Sequence, residues 1–185
     1  MKVSKTNLID CLLIEPRVFK DFRGSFFESF SKLRYQQDAL INHEFVQDNF
    51  SSSRKGVLRG LHYQLPPFEQ SKLVSVIKGS IIDVVVDIRK NSLTFLKNIQ
   101  IELSEENKKQ LFIPKGFAHG FCTIESDTEV QYKVSAPYSL ESEAGLAWDD
   151  PNLGIDWPLG ANKPILSDKD KYYPNFQELP NYFNY

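Results

Sequence analysis

The strongest constraint on this chain is a hydrophobic period of two. In "TEVQYKVS" (128–135), Val130, Tyr132 and Val134 alternate with Glu129, Gln131 and Lys133. Side chains that alternate in this way stand on opposite faces of a strand. Strands are expected at "SFFESF" (25–30), "HEFVQDNF" (43–50), "VLRGLHYQL" (57–65), "KLVSVIKG" (72–79) and "SIIDVVVDIR" (80–89). Further strands are expected at "KNIQIEL" (97–103), "QLFIP" (110–114), "GFCTI" (120–124) and 128–135. Turn signals at Lys78-Gly79, Pro114-Lys115-Gly116 and Ser126-Asp127 separate them. Many short strands at this spacing predict an all-β jelly roll, sandwich or barrel. Helix is restricted to 31–40, with Ser31 as its N-cap, and to a turn at 167–173.

The 185 residues suit one domain, with a jelly-roll core over roughly 21–160 and an aromatic tail over roughly 172–185. Aromatics at 13% argue against disorder. The net charge is −2 and there is no basic stripe, so nucleic acid is not an expected partner and the arginines are read as local anion grips. Cys11 and Cys122 form no metal-binding spacing and read as reduced thiols. The apolar run at 11–14 is too short for a signal-peptide core, and no stretch approaches a membrane span, so a cytoplasmic protein is expected.

Strand parity sorts the polar residues. Tyr132 points inward between two valines, where its hydroxyl needs a partner. In 80–89, Ile82, Val84, Val86 and Ile88 make an apolar face; Asp83 and Asp87 lie on the other face, either solvated or lining a polar cavity. His62 shares parity with Gly60 and Gln64, whereas Arg59 has the opposite parity. If Arg59 and His62 serve one site, the strand must bulge, and Gly60 is the place for it. Alone, His62 reads as a core histidine, a metal ligand or a base. His43, His62 and His119 are far apart and form no His-x-His pair, so no metal site is expected and the acid–base role is favoured.

Six segments, in order, carry a resemblance: "DFRGSFFESF", "FVQDNFSSSRKGVLRGLHYQ", "KLVSVIKGSIIDVVVDIRKNSLTF", "LFIPKGFAHGF", "QYKVSAPYSLESEAGLAWDDPNLGIDWP" and "LSDKD". Together they resemble the dTDP-sugar 3,5-epimerase family across residues 21–170. The resemblance implies a cupin-type β jelly roll acting as a homodimer, without metal or organic cofactor, on a dTDP-linked 4-keto-6-deoxyhexose. By the same resemblance, His62 is the general base, Asp170 the carboxylate orienting it, Tyr132 the general acid, and Lys72 and His119 groups near the reacting sugar. Arg23, Glu28, Gln47, Asn49 and Arg59 match nucleotide and substrate contacts. Tyr138 matches a ring stacking on the base, and Glu143 and Lys169 match further contacts; Phe26 offers another aromatic face. The chain departs from the family at Leu93, where Pro is common, and at Asp168, where a small residue is common beside the implied dyad aspartate.

The chemistry is consistent with these residues. A hydrogen on carbon beside a ketone is acidic because the anion spreads onto the carbonyl oxygen, so a 4-keto sugar can be inverted at both C3 and C5. No hydride leaves, and the chain carries no Gly-x-Gly-x-x-Gly for a nicotinamide. Preorganised donors at the developing oxyanion contribute a few kcal/mol, which suits Lys72. The competing readings are an epimerase of one centre only, a non-catalytic sugar-binding jelly roll and, weakest, a metal-dependent cupin oxygenase.

Overall fold

The computed structural model describes residues 1–179 and 183–184. Of the aromatic tail, residues 180–182 and 185 lie outside the described residues. In chain order the strands are β1 (Lys2–Lys5), β2 (Leu12–Glu15), β3 (Val18–Asp21) and β4 (Gly24–Phe27), followed by helix α1 (Lys32–Ala39). Then come β5 (Gln47–Ser53), β6 (Leu58–Gln64), β7 (Lys72–Lys78), β8 (Ser80–Asp87) and β9 (Asn98–Ser104). The last four are β10 (Gln110–Ile113), β11 (Phe117–Thr123), β12 (Thr128–Val134) and β13 (Glu143–Gly145).

Among the described residues one sheet has six strands, ordered β1-β2-β10-β7-β12-β5, and a second has five, ordered β13-β6-β11-β8-β9. The hairpin β3–β4 stands apart from both. The two sheets bury a common core, in which Val74, Val76 and Val130 meet Ile81, Val85 and Phe121. This is the cupin-type jelly roll. The outer face of the five-stranded sheet is covered too: Leu58, Leu61, Val84 and Val86 pack against Leu146, Leu153, Trp157 and Phe183. Because β8 is buried on both faces, its register is strongly specified. A one-residue slip would turn Asp83 and Asp87 into this second apolar cluster.

The helix forms where the sequence places it. Ser31 caps it by accepting from the Arg34 amide (3.5 Å), and Leu40 ends it in the left-handed region (φ 56°). Its buried Tyr35 and Ala39 cover Ile14, Leu73 and Phe112 on the outer side of the six-stranded sheet. The sandwich also extends beyond the alternating segments. β1 and β2 precede residue 21, and β13 lies in a region where no strand is expected. These strands have only three or four residues, too short for a period to emerge. Two expected strands differ most in their bounds: β4 ends at Phe27, and β5 is shifted along the chain to Gln47–Ser53. No helix among the described residues is long and apolar enough to cross a membrane.

Candidate active site

The site starts from a bulge in β6. Across the β6–β11 ladder His62 faces His119 and Arg59 faces Phe121, so three steps along β6 match two along β11. The extra residue rotates Arg59 onto the face of His62 and removes the parity conflict. Gly60 sits at this point with φ +124°, and a Cβ there would lie 2.5 Å from the Gly120 Cα. Only glycine accepts both the backbone angle and the approach of the facing strand. The Gly60–Leu61 peptide is cis.

A cavity of about 430 Å³ opens between the sheets at this bulge. His62, Arg59 and Gln64 reach it from β6, His119 from β11, Lys72 from β7, Tyr132 from β12, and Gln47 and Asn49 from β5. Tyr138, Glu143, Lys169 and Asp170 also line it. The structure thus brings together every sequence-predicted site residue except Arg23, Phe26 and Glu28. Those three stand on or beside the β3–β4 hairpin. Arg23 is paired with Asp21 at 2.6 Å, Glu28 with Arg34 at 3.3 Å, and Phe26 is 72% exposed.

At the cavity floor the Asp170 carboxylate meets His62 Nε2 at 2.6 Å, which leaves the other ring nitrogen to take a proton. Burial works against the Asp170 charge. The hydrogen bond and charge of His62, together with Ser167 and Lys169, outweigh it and hold the carboxyl below its usual range. Asp168 is not the partner: its side chain is 95% exposed and pairs with Lys171. Lys72 donates from Nζ to the His62 carbonyl at 3.3 Å. Burial pulls its ammonium down to about 8, while the charges of Asp83 and Glu143 hold it up. At neutral pH it therefore remains a cation. Burial raises the Tyr132 phenol, so it keeps its proton and can give it.

At the rim, Glu143 accepts from the Tyr138 hydroxyl at 3.1 Å and pairs with Lys169. Arg59 is steadied by Ser53 Oγ (3.2 Å). Three residues missed by sequence reasoning also shape the site. Asp83 holds His119 at 2.7 Å, and its other oxygen is buried without a hydrogen-bond partner among the described residues. Its parity left it either solvated or lining a polar cavity; in the structure it does neither, being fully buried behind His119, which itself lines the cavity. Gln64 holds the loop that carries Tyr138, donating to the Pro137 carbonyl (3.1 Å) and accepting from the Ser139 amide (2.8 Å). Gln70 donates to the Ala136 carbonyl at 2.8 Å. Gln64 shares parity with His62, which was the available signal; Gln70 lies in a loop and left none. Among the described residues no three His, Cys, Asp or Glu side chains gather as metal ligands.

The dTDP-4-dehydrorhamnose 3,5-epimerase family profile matches residues 5–178. A dTDP-4-dehydrorhamnose 3,5-epimerase of Shigella flexneri is 51% identical over 170 residues, covering 92% of this chain and 93% of the relative. The crystal structure of a dTDP-6-deoxy-D-glucose-3,5-epimerase from Legionella pneumophila, in complex with dTDP-4-keto-L-rhamnose, superposes with a TM-score of 0.95. It is 45% identical and covers 100% of this chain and 98% of its own. A 3'-monoepimerase from Streptomyces bikiniensis, in complex with dTDP-quinovose, also superposes, with a TM-score of 0.87. It is 30% identical and covers 93% of this chain and 86% of its own. The chain belongs to the dTDP-4-dehydrorhamnose 3,5-epimerase family.

Proposed function

We propose that His62, Asp170, Lys72 and Tyr132 carry out the 3,5-epimerisation that this chain, as a member of that family, catalyses. The isomerase reaction converts dTDP-4-dehydro-6-deoxy-D-glucose to dTDP-4-dehydro-L-rhamnose for dTDP-L-rhamnose biosynthesis. The observation carrying the residue roles is that base and acid reach one cavity from opposite sheets, His62 from β6 and Tyr132 from β12.

His62 takes the proton from the carbon beside the C4 ketone. The C–H electron pair moves to form a C=C bond, and the carbonyl pair moves onto O4. Lys72 stabilises that oxyanion, because a fixed cation in a site shielded from water needs no reorganisation. Asp170 holds the imidazole and stabilises the imidazolium that forms. The enolate then re-forms the carbonyl and takes the Tyr132 proton on the opposite face, which inverts the centre. Imidazolium and phenolate return to their resting states by proton exchange with water. The same groups act at C3 and at C5. Arg59 grips the pyrophosphate, Tyr138 stacks on the base, and Gln47, Asn49, His119, Glu143 and Lys169 hold the remainder of the substrate.

Arg23, Phe26 and Glu28 are assigned to the same substrate through a homodimer. They sit on an arm outside the cavity of their own subunit, and that arm exposes Phe19, Phe22 and Phe26. An exposed apolar hairpin of this kind suits burial in a second copy. If the arm serves the partner's cavity, mixing the Arg23→Ala and His62→Asn proteins restores about a quarter of the sites, because half of the dimers after exchange are mixed and each mixed dimer carries one intact site of two. No restoration on subunit exchange would return Arg23 to a structural role. We place the reaction in the cytoplasm.

The central test is incubation with dTDP-4-dehydro-6-deoxy-D-glucose in D₂O, followed by NMR. Deuterium entering both C3 and C5 is expected. Exchange at one position alone would make this an epimerase of a single centre, and no exchange would overturn the catalytic reading.

A further inference from the structure

We propose that Tyr173 is a positioning residue for the His62–Asp170 pair: its ring, lodged over Gly145, presses the imidazole against its carboxylate from the side away from the cavity. The inference rests on the catalytic reading of His62. Tyr173 does not line the cavity. Its ring stands edge-on to the His62 ring, with centroids 5.7 Å apart and an interplanar angle of 71°.

The slot for this ring is made by a missing side chain. Gly145 lies directly opposite His62 in the β13–β6 ladder. A Cβ on Gly145 would come within 2.5 Å of three atoms of the Tyr173 ring. Any other residue at position 145 would therefore displace the ring that touches His62. The polypeptide adds a second constraint. Asp170 and Tyr173 belong to one short stretch, begun by a 3-10 turn at Lys169–Lys171. The stretch is pinned to the body just beyond Tyr173: Ala147 donates from its amide to the Pro174 carbonyl (2.9 Å) and Phe176 to the Asp150 carboxylate (2.8 Å). One pinned segment thus supplies both the carboxylate at the ring nitrogen and the wall behind the ring. An imidazole with one open face turns about its χ2 bond; one backed by an aromatic ring does not.

The test compares Tyr173→Ala, Tyr173→Phe and Gly145→Ala in the full chain. With three histidines in the sequence, a low-field imidazole N–H resonance is assigned to His62 by its absence from His62→Asn. Wild type and Tyr173→Phe are expected to show it, whereas Tyr173→Ala and Gly145→Ala lose it to exchange with water. Both of these variants are expected to lose about tenfold to a hundredfold in kcat for C5 exchange. Their Kd for dTDP is expected to stay within about twofold, because the ring is outside the cavity. Tyr173→Phe is expected to retain most of the activity. Retention of the resonance and of kcat in Tyr173→Ala would overturn the proposal, as would a parallel loss of dTDP affinity. If Tyr173→Ala does not fold, the same two readouts in Gly145→Ala decide the question. If wild type exchanges no sugar hydrogen, the catalytic reading fails, and the resonance still decides whether Tyr173 holds the imidazole.

Discussion

Two histidine–carboxylate pairs face each other across the β6–β11 ladder, and their differences separate a base from a fixed donor. His62 meets Asp170 at 2.6 Å, and His119 meets Asp83 at 2.7 Å. The bond is the same; the surroundings are not. The His62 side chain is 27% exposed toward the cavity, while that of His119 is 5% exposed. Asp83 comes from β8, the strand next to β11, and is locked within the sheet. Asp170 arrives from a chain segment 108 residues away. Burial lowers the proton affinity of His119, against the pull of Asp83, so its imidazole stays neutral and serves as a hydrogen-bonding wall. Both imidazoles border the cavity, but the more open His62 can take up a proton there, whereas the buried, neutral His119 serves to orient.

The comparison breaks most sharply at the two histidines. His62→Asn is expected to lower exchange at C3 and C5 by about 10²–10⁴-fold with dTDP binding retained. For His119→Asn a loss of about tenfold is expected, mostly in KM, because it removes a contact made equally in ground and transition states. Equal losses in kcat for the two variants, measured by NMR exchange rates, would erase the distinction.

A middle-sized effect is expected at Asp83, which acts beyond its own histidine. Lys72 titrates at about 8 and must be protonated to hold the oxyanion, so kcat is expected to fall as the pH rises through that value. Asp83 is one of the charges that hold this proton on. Asp83→Asn removes that support, so the alkaline limb is expected to move to lower pH, by about one unit. A limb that stays in place would confine Asp83 to orienting His119.

How much of this was legible follows from what each feature depends on. The long strands stood out because alternation over seven or eight residues is a local property. The Gly60 bulge was legible as a conflict: Arg59 and His62 had opposite parity, and a glycine lay between them. The pairing of His62 with Asp170 came from resemblance and not from pattern, since no periodicity links residues so distant. The role of Asp83 stayed open because β8 is buried on both faces, and parity alone says which side a residue takes without saying what fills that side. Arg23, Phe26 and Glu28 were read into the same site as the others, yet their hairpin forms a separate sheet and none of the three lines the cavity. Within a single chain, neither sequence nor fold joins them to the cavity.

The smallest effect is expected at Asp168, and it completes the comparison. Two residues from Asp170 on the same turn, it offers the same carboxylate, and nothing in the residue pattern chooses between them. Burial does choose: Asp170 is 2% exposed, whereas the Asp168 side chain is 95% exposed and its charge is satisfied by Lys171 at 2.8 Å. An ion pair so exposed contributes little, because water and salt screen it. Asp168→Ala is therefore expected to change exchange rates by less than about twofold and to leave the melting temperature nearly unchanged. Asp170→Asn, in contrast, keeps the shape but removes the charge that steadies the imidazolium. Its loss is expected to approach that of His62→Asn, since groups acting as one unit are not additive. A large loss in Asp168→Ala would mean that the turn at Lys169–Lys171 presents the other carboxylate during turnover. In that case the ordered delivery of Asp170, which distinguishes the working pair from the more deeply buried one, would not hold.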